Sequence, residues 1–104
     1  SNGESASFYF TSRIQDGGLY LLDEPENSLS PTRQTELLQF LEDSARFYDC
    51  QFIIATHSPF LLAMRGACIY DMEADPICRR RWTELPAVRA YHDFFKQHAD
   101  AFED

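Results

Sequence analysis

Glycine, lysine and cysteine are scarce in this chain, and each scarcity excludes something. The only glycines are Gly3, Gly17, Gly18 and Gly66, and the only lysine is Lys96. No Gly-x-x-x-x-Gly-Lys-Ser/Thr run can be built from them, so the loop that cradles nucleotide phosphates is not within these 104 residues. Cys50, Cys68 and Cys78 are an odd number without C-x-x-C spacing. That argues against a disulfide framework or a zinc ribbon and fits a reducing cytosol, so a cytoplasmic location is expected. Bases are also few, 9 against 17 acids, for a net charge of -8. So acidic a segment is not the main grip on a nucleic-acid backbone. No apolar run approaches the roughly 20 residues of a membrane helix. Ser1 to Ser7 lacks the basic start and apolar middle of a signal peptide.

What is present is the material of a folded protein. Hydrophobic residues make up 44% of the chain, with nine Phe, five Tyr and one Trp to fill a core. The length suits one small domain or part of a larger one. A start at Ser1 permits a fragment.

Gly17-Gly18 breaks the chain, and the continuous apolar run Leu19-Tyr20-Leu21-Leu22 after it reads as a strand buried on both faces. Ser30 as N-cap and Pro31 in the first turn open a helix to about Tyr48. Leu37, Leu38, Leu41, Ala45 and Tyr48 form its apolar face, with Glu42, Asp43 and Arg46 opposite. Gln51 to Thr56 reads as a second buried strand. His57-Ser58-Pro59 leads into a short helix near Phe60 to Met64, stopped by Gly66. Ala67 to Asp71 is a weaker third strand, and Arg79-Arg80-Arg81-Trp82 a strand or extended arm. Thr83 caps a last helix with Val88, Tyr91, Phe95 and Phe102 as its stripe. Asp100, Glu103 and Asp104 at its end oppose the helix dipole and favour fraying. Strands alternating with helices imply an α/β fold with a parallel sheet and crossover helices. Glu4 to Ile14 reads either as a strand, from Phe8-Tyr9-Phe10, or as a helix after Ser1-Asn2-Gly3-Glu4.

Three features carry chemistry. Leu19 to Leu22 delivers Asp23 and Glu24 to the carboxyl end of a strand, where open α/β sheets place their sites. Side chains alternate along a strand, so the two carboxylates diverge: one can hold a metal through water while the other polarises a nucleophilic water. The plain alternative is a polar strand end. The second strand ends in His57, on the same rim if the strands are neighbours; His92 and His98 read as surface residues of the last helix. Ser1-Asn2-Gly3-Glu4 precedes a possible helix start, whose free N–H groups and dipole suit an anion, although such a segment is often only a cap.

In this order, over roughly residues 1–72, these features resemble the C-terminal half of an ATP-binding-cassette type ATPase domain. The closest resemblance is to the non-transporter, AAA-labelled ATPases that are similar to chromosome-maintenance and DNA-repair heads. Ser1-Asn2-Gly3-Glu4 resembles the signature motif, Leu19 to Glu24 the Walker B strand with its catalytic Glu, Glu26 to Pro31 the D-loop and His57 the switch histidine. The resemblance implies a partial P-loop NTPase fold, with residues 1–104 the C-terminal part of one ATPase domain. Within it, 1–14 would be the signature-like segment and helix, 19–64 the Walker B to switch-His region and 67–104 the last strand and helix. It implies ATP and Mg²⁺ as cofactors. Asp23 would hold Mg²⁺ through water, Glu24 would deprotonate the attacking water and His57 would contact the γ-phosphate. Ser1, Asn2, Gly3 and Glu4 would cover ATP bound to a second subunit, making hydrolysis the work of a homodimer. Ser30, also assigned to the nucleotide site, stands where transporters carry the D-loop Asp, and Asn2 replaces the first signature Gly. The missing N-terminal half would supply Walker A, and these residues alone would be inactive.

Two other readings compete. One is an interaction module that keeps a remnant of the ATPase fold without catalysis. The other is a metal-dependent phosphoesterase using Asp23, Glu24, Glu26 and His57 directly, weakened by Pro25 and by the lack of a His-x-His or paired-Asp motif. The three arginines at 79–81 suit pairing with Asp71, Glu73 and Asp75 better than phosphate binding. In the family the Walker A strand lies between the strand ending at His57 and that near Ile69. Without it, Gln51 to Thr56 is expected to expose an apolar edge. The chain is then expected to self-associate, to pair Ala67 to Asp71 directly against that edge, or to fold only marginally.

Overall fold

The computed structural model describes residue 14 and residues 17–103. The readings placed on Ser1 to Glu4 and on Phe8 to Phe10 lie outside these residues. The chain divides into two compact units, one ending at Arg65 and one beginning at Gly66.

The described residues of the first unit form a β-α-β unit with a short helix appended. Gly17 and Gly18 take φ of 77° and 124°, a region costly for any residue with a Cβ. They release the chain into β1, Gly18–Asp23. Ser30 caps α1, Pro31–Phe47, by accepting a bond from the Arg33 N–H at 3.2 Å, and Pro31 occupies the first turn as expected. Asp49, at φ 56°, turns the chain into β2, Cys50–Ala55. The strands pair in parallel, from Gly18 opposite Cys50 to Asp23 opposite Ala55. Parallel neighbours need a crossover, and α1 supplies it.

The helix packs on one face of this pair. Leu37, Leu41 and Ser44 are its buried residues. They stand at i, i+4 and i+7, so the buried stripe continues through Ser44; the expected Ala45 and Tyr48 are exposed. Ile14, Leu29, Leu37, Leu41, Cys50 and Leu61 form the core, with Tyr20, Leu22, Phe52 and Ile54 packed against it. The Tyr20 and Phe52 rings stack 5.7 Å apart across the strands. Leu19, Leu21 and Ile53 point the other way and are exposed, Leu21 by 73%. The reading of both strands as buried on two faces is therefore corrected. Among the described residues helical cover is on one side only, and side chains alternate along each strand. Ser58 caps α2, Pro59–Leu62, which begins and ends earlier than expected and inserts Leu61 into the core.

In the second unit, the expected third parallel strand shrinks to β3, Tyr70–Asp71, which pairs antiparallel with β4, Cys78–Arg79. It does not pair with Gln51 to Thr56; among the described residues β2 pairs with β1 alone. Two local bonds hold the hairpin: the Arg80 guanidinium donates to the buried Asp71 carboxylate at 2.9 Å, and the Arg80 N–H donates to the Ile69 carbonyl at 3.1 Å. Trp82–Glu84 is a 3₁₀ turn; the Arg81 N–H donates to Glu84 Oε1 at 2.8 Å and holds that carboxyl below its usual range.

Thr83 therefore caps no α-helix. Leu85 is the N-cap of α3, Pro86–Gln97, with Pro86 in its first turn. Val88 is buried, but Tyr91, Phe95 and Phe102 of the expected stripe are exposed. Lys96 occupies the last turn of α3, and Asp100 and Glu103 fall beyond it, in and after the 3₁₀ turn Ala99–Phe102. The expected clash of these two acids with the helix dipole is thereby avoided. No helix among the described residues is long and apolar enough to cross a membrane.

Leu41, at 0% exposure, and Leu21, at 73%, give opposite expectations. Leu41→Ala should cost about 2–5 kcal/mol in urea unfolding. Leu21→Ala should stay within about 0.5 kcal/mol. Equal losses would contradict the one-sided core.

Candidate functional site

Because β1 and β2 run in the same direction, their carboxyl ends reach one edge together. Asp23 lies opposite Ala55, and the Glu24 N–H extends the ladder by donating to the Ala55 carbonyl at 2.7 Å. Glu24 has φ 48°, left-handed for a residue with a side chain. Such a conformation costs about 1–3 kcal/mol and persists only where neighbours enforce it. Here the ladder bond grips its N–H while its carbonyl accepts from the Asn27 N–H at 3.1 Å. The left-handed turn ends the strand immediately after Asp23 and separates the two acids.

Asp23 is exposed, and among the described residues no side chain pairs with its carboxylate. Glu24 Oε1 lies 3.7 Å from His57 Nε2, and Glu24 Oε2 accepts from Asn27 Nδ2 at 3.4 Å. The Glu24 side chain is 44% exposed and that of His57 74%, so both groups face solvent. The structure thus brings Glu24 and His57 together at the rim that also carries Asp23.

Sequence reasoning named Glu26 as a candidate metal ligand and as the start of the D-loop stretch, but not the hydrogen bonds it makes. Glu26 uses both carboxylate oxygens: Oε1 accepts from Thr56 Oγ1 at 2.6 Å and Oε2 from the His57 peptide N–H at 3.0 Å. Thr56 Oγ1 in turn accepts from the Ser58 N–H at 3.0 Å. The buried Ser58 hydroxyl donates to Gln34 Oε1 at 2.5 Å, and Gln34 Nε2 donates to the Leu29 carbonyl at 3.0 Å. The Leu29 N–H closes the circuit on the Glu26 carbonyl at 2.9 Å. The loop after β1, the start of α1 and the link from β2 to α2 are tied by this one network. Its only sequence signals were an acid two residues past Glu24 and a Thr before His57; thirty residues separate Glu26 from Thr56, so no local spacing marks the pair.

The other singled-out residues fall as follows. Ser1, Asn2, Gly3 and Glu4 lie outside the described residues. The Ser30 hydroxyl is engaged as the α1 cap. His92 is exposed beside Asp93, whose carboxyl it holds below the usual range by a 3.1 Å hydrogen bond; His98 packs on the Phe94 ring. Arg80 pairs with Asp71 as expected, whereas Arg81 turns to Glu84 rather than to Glu73 or Asp75.

No group of three or more His, Cys, Asp or Glu that could hold a metal occurs among the described residues. Glu26 is spent on Thr56 and His57 and is not free to join Asp23 and Glu24 as a ligand. Mg²⁺ in a phosphate-transfer site needs less than a protein cage, namely one or two carboxylates with water and phosphate oxygens completing the octahedron. The exposed, unpaired carboxylate of Asp23 fits that demand.

No curated protein sequence matches the chain. A solved structure described as "Structural biochemistry of ATP-driven dimerization and DNA stimulated activation of SMC ATPases" matches with a TM-score of 0.58 and 16% sequence identity. The match covers 94% of this chain and 62% of that one, so this chain spans less than two thirds of its neighbour's length. The likeness is one of fold: the chain is α/β with a parallel sheet, similar to part of that SMC ATPase. A family model matches residues 2–63, more than half of the chain, and the protein thus belongs to the family described as "AAA domain, putative AbiEii toxin, Type IV TA system".

Proposed function

We propose that this chain supplies the C-terminal half of an ATP-binding and ATP-hydrolysing domain, which in the full-length protein works as a nucleotide-sandwich dimer. The observation that carries the reading is the shared rim: Asp23 and Glu24 end one strand, and His57 follows its parallel neighbour, 3.7 Å from Glu24. In this reading Asp23 to Glu24 is the end of Walker B, Glu26 to Pro31 the D-loop and His57 the switch histidine. The structural neighbour's description, ATP-driven dimerization of an ATPase, supports a second copy as partner.

Each residue has a task that its placement allows. Asp23 would hold Mg²⁺ through its water shell, and the ion would supply neutralisation of the phosphate charge. Glu24 orients a water and accepts its proton as the oxygen attacks phosphorus. The bond to the β-phosphate oxygen breaks, and ADP and phosphate result. Asn27 steadies one oxygen of Glu24 and leaves the other directed toward His57. His57, with its exposed ring, donates to the γ-phosphate and stabilises charge in transfer. Ser1, Asn2, Gly3 and Glu4 complete the site on the partner's nucleotide, and Ser30 belongs to the same dimer-facing stretch. The phosphate-cradling loop and its Lys come from the N-terminal half.

In the full-length protein, Glu24→Gln keeps size and loses the base. It should bind ATP and turn it over about 10²–10⁴-fold more slowly, the scale of a positioned general base. His57→Ala should also slow turnover with an unchanged melting temperature. Wild-type rates in both variants, measured as phosphate release, would refute the assignment. The 104 residues alone should release no phosphate above background, because nothing in them encloses the β- and γ-phosphates. Release that Glu24→Gln abolished would overturn that expectation.

A further inference from the structure

We propose that Glu26 is the positioning residue for His57. This rests on the ATPase reading above. The His57 ring is 74% exposed, and its nearest charged neighbour, Glu24, stands at 3.7 Å, beyond hydrogen-bonding distance. Among the described residues the ring itself is therefore not held in place. What is held is the backbone: the His57 N–H donates to Glu26 Oε2 at 3.0 Å, and the preceding Thr56 hydroxyl donates to Glu26 Oε1 at 2.6 Å. Bonds to an ionised carboxylate are shorter and roughly twice as strong as neutral ones, and two of them fix direction as well as distance.

The clamp grows from the loop that carries the base. Glu24 and Glu26 are two residues apart, in consecutive turns closed by the Asn27 N–H on the Glu24 carbonyl and the Leu29 N–H on the Glu26 carbonyl. Glu26 thus ties the His57 backbone to the segment that presents Glu24 and sets the spacing of the two groups. The following residue joins the same network through its N–H on Thr56 Oγ1 but has a further anchor that does not use the Glu26 side chain: the Ser58 hydroxyl is buried and bonded to Gln34. Removal of Glu26 therefore frees His57 without unpinning α2.

The test measures kcat and KM for ATP in the full-length protein for Glu26→Ala and Glu26→Gln, each alone and with His57→Ala. Glu26→Ala should lower kcat by about 10–100-fold with KM within about twofold, as expected when a reacting group is displaced by an ångström. Glu26→Gln can still accept from the His57 N–H through its carbonyl oxygen while its amide donates to Thr56 Oγ1, so it should recover most of that loss. On the His57→Ala background, Glu26→Ala should add less than about twofold, because residues acting as a unit are not additive. Wild-type kcat in Glu26→Ala, or a full further loss without His57, would overturn the proposal.

A readout independent of turnover and of any variant is the scalar coupling across the hydrogen bond from the His57 amide nitrogen to the Glu26 carboxylate carbon. It is read by NMR in the wild-type protein without nucleotide; its presence supports the clamp and its absence overturns it, even if Glu26→Ala fails to fold. A wild-type protein that turns over no ATP overturns the ATPase reading, and the coupling still decides whether Glu26 holds His57.

Discussion

Parallel pairing of β1 with β2 puts two chain segments whose paired residues are thirty-two apart at the same edge of the sheet, pointing the same way. Everything at the rim depends on that register. Asp23 opposite Ala55 allows the Glu24 N–H to reach one more carbonyl, and that bond helps hold Glu24 in its left-handed turn. A shift of one residue would turn Tyr20 and Leu22 away from α1 and move the carboxylates relative to His57. The stacked Tyr20 and Phe52 rings and the Leu37–Leu41–Ser44 stripe are what make such a shift costly.

The polar network does for the loops what the core does for the strands. Glu26 joins the loop after β1 to the end of β2, and Gln34 joins α1 to the cap of α2. Ser44, Ser58 and Asp71 are the buried polar residues among those described, and Ser58 and Asp71 both have short hydrogen bonds. Burial without a partner would cost about 1–3 kcal/mol at each, so satisfied pairs are what keep these positions stable. The same economy explains the arginines: Arg80 neutralises the buried Asp71, a use that sequence alone could name and the hairpin makes possible.

The rim was legible before the fold because its signals are local. An apolar run ending in two acids, and another ending in Thr-His-Ser-Pro, each identify a strand and its carboxyl end from neighbours in the chain. The cap at Ser30 follows equally from the next three residues. The misreadings share the opposite character. Ala67 to Asp71 has strand composition, but its partner was settled by the turn that brings Cys78 and Arg79 back antiparallel. Thr83 lost the cap to Leu85 because the Arg81–Glu84 bond winds that stretch into a 3₁₀ turn first.

By itself the sequence determined the strand–helix–strand–helix order of residues 18–62, the absence of a phosphate-binding loop from these residues, and the three side chains at the strand ends, because each rests on contiguous residues and their intrinsic preferences. Only the tertiary structure decided which sheet face is covered, which half of α1 is buried, and that both oxygens of Glu26 belong to Thr56 and His57. Those outcomes depend on which surfaces meet. A carboxylate bonded to a hydroxyl and an N–H some thirty positions away carries no mark of that in its own neighbourhood. The parallel register alone brings the donors within 3 Å of it.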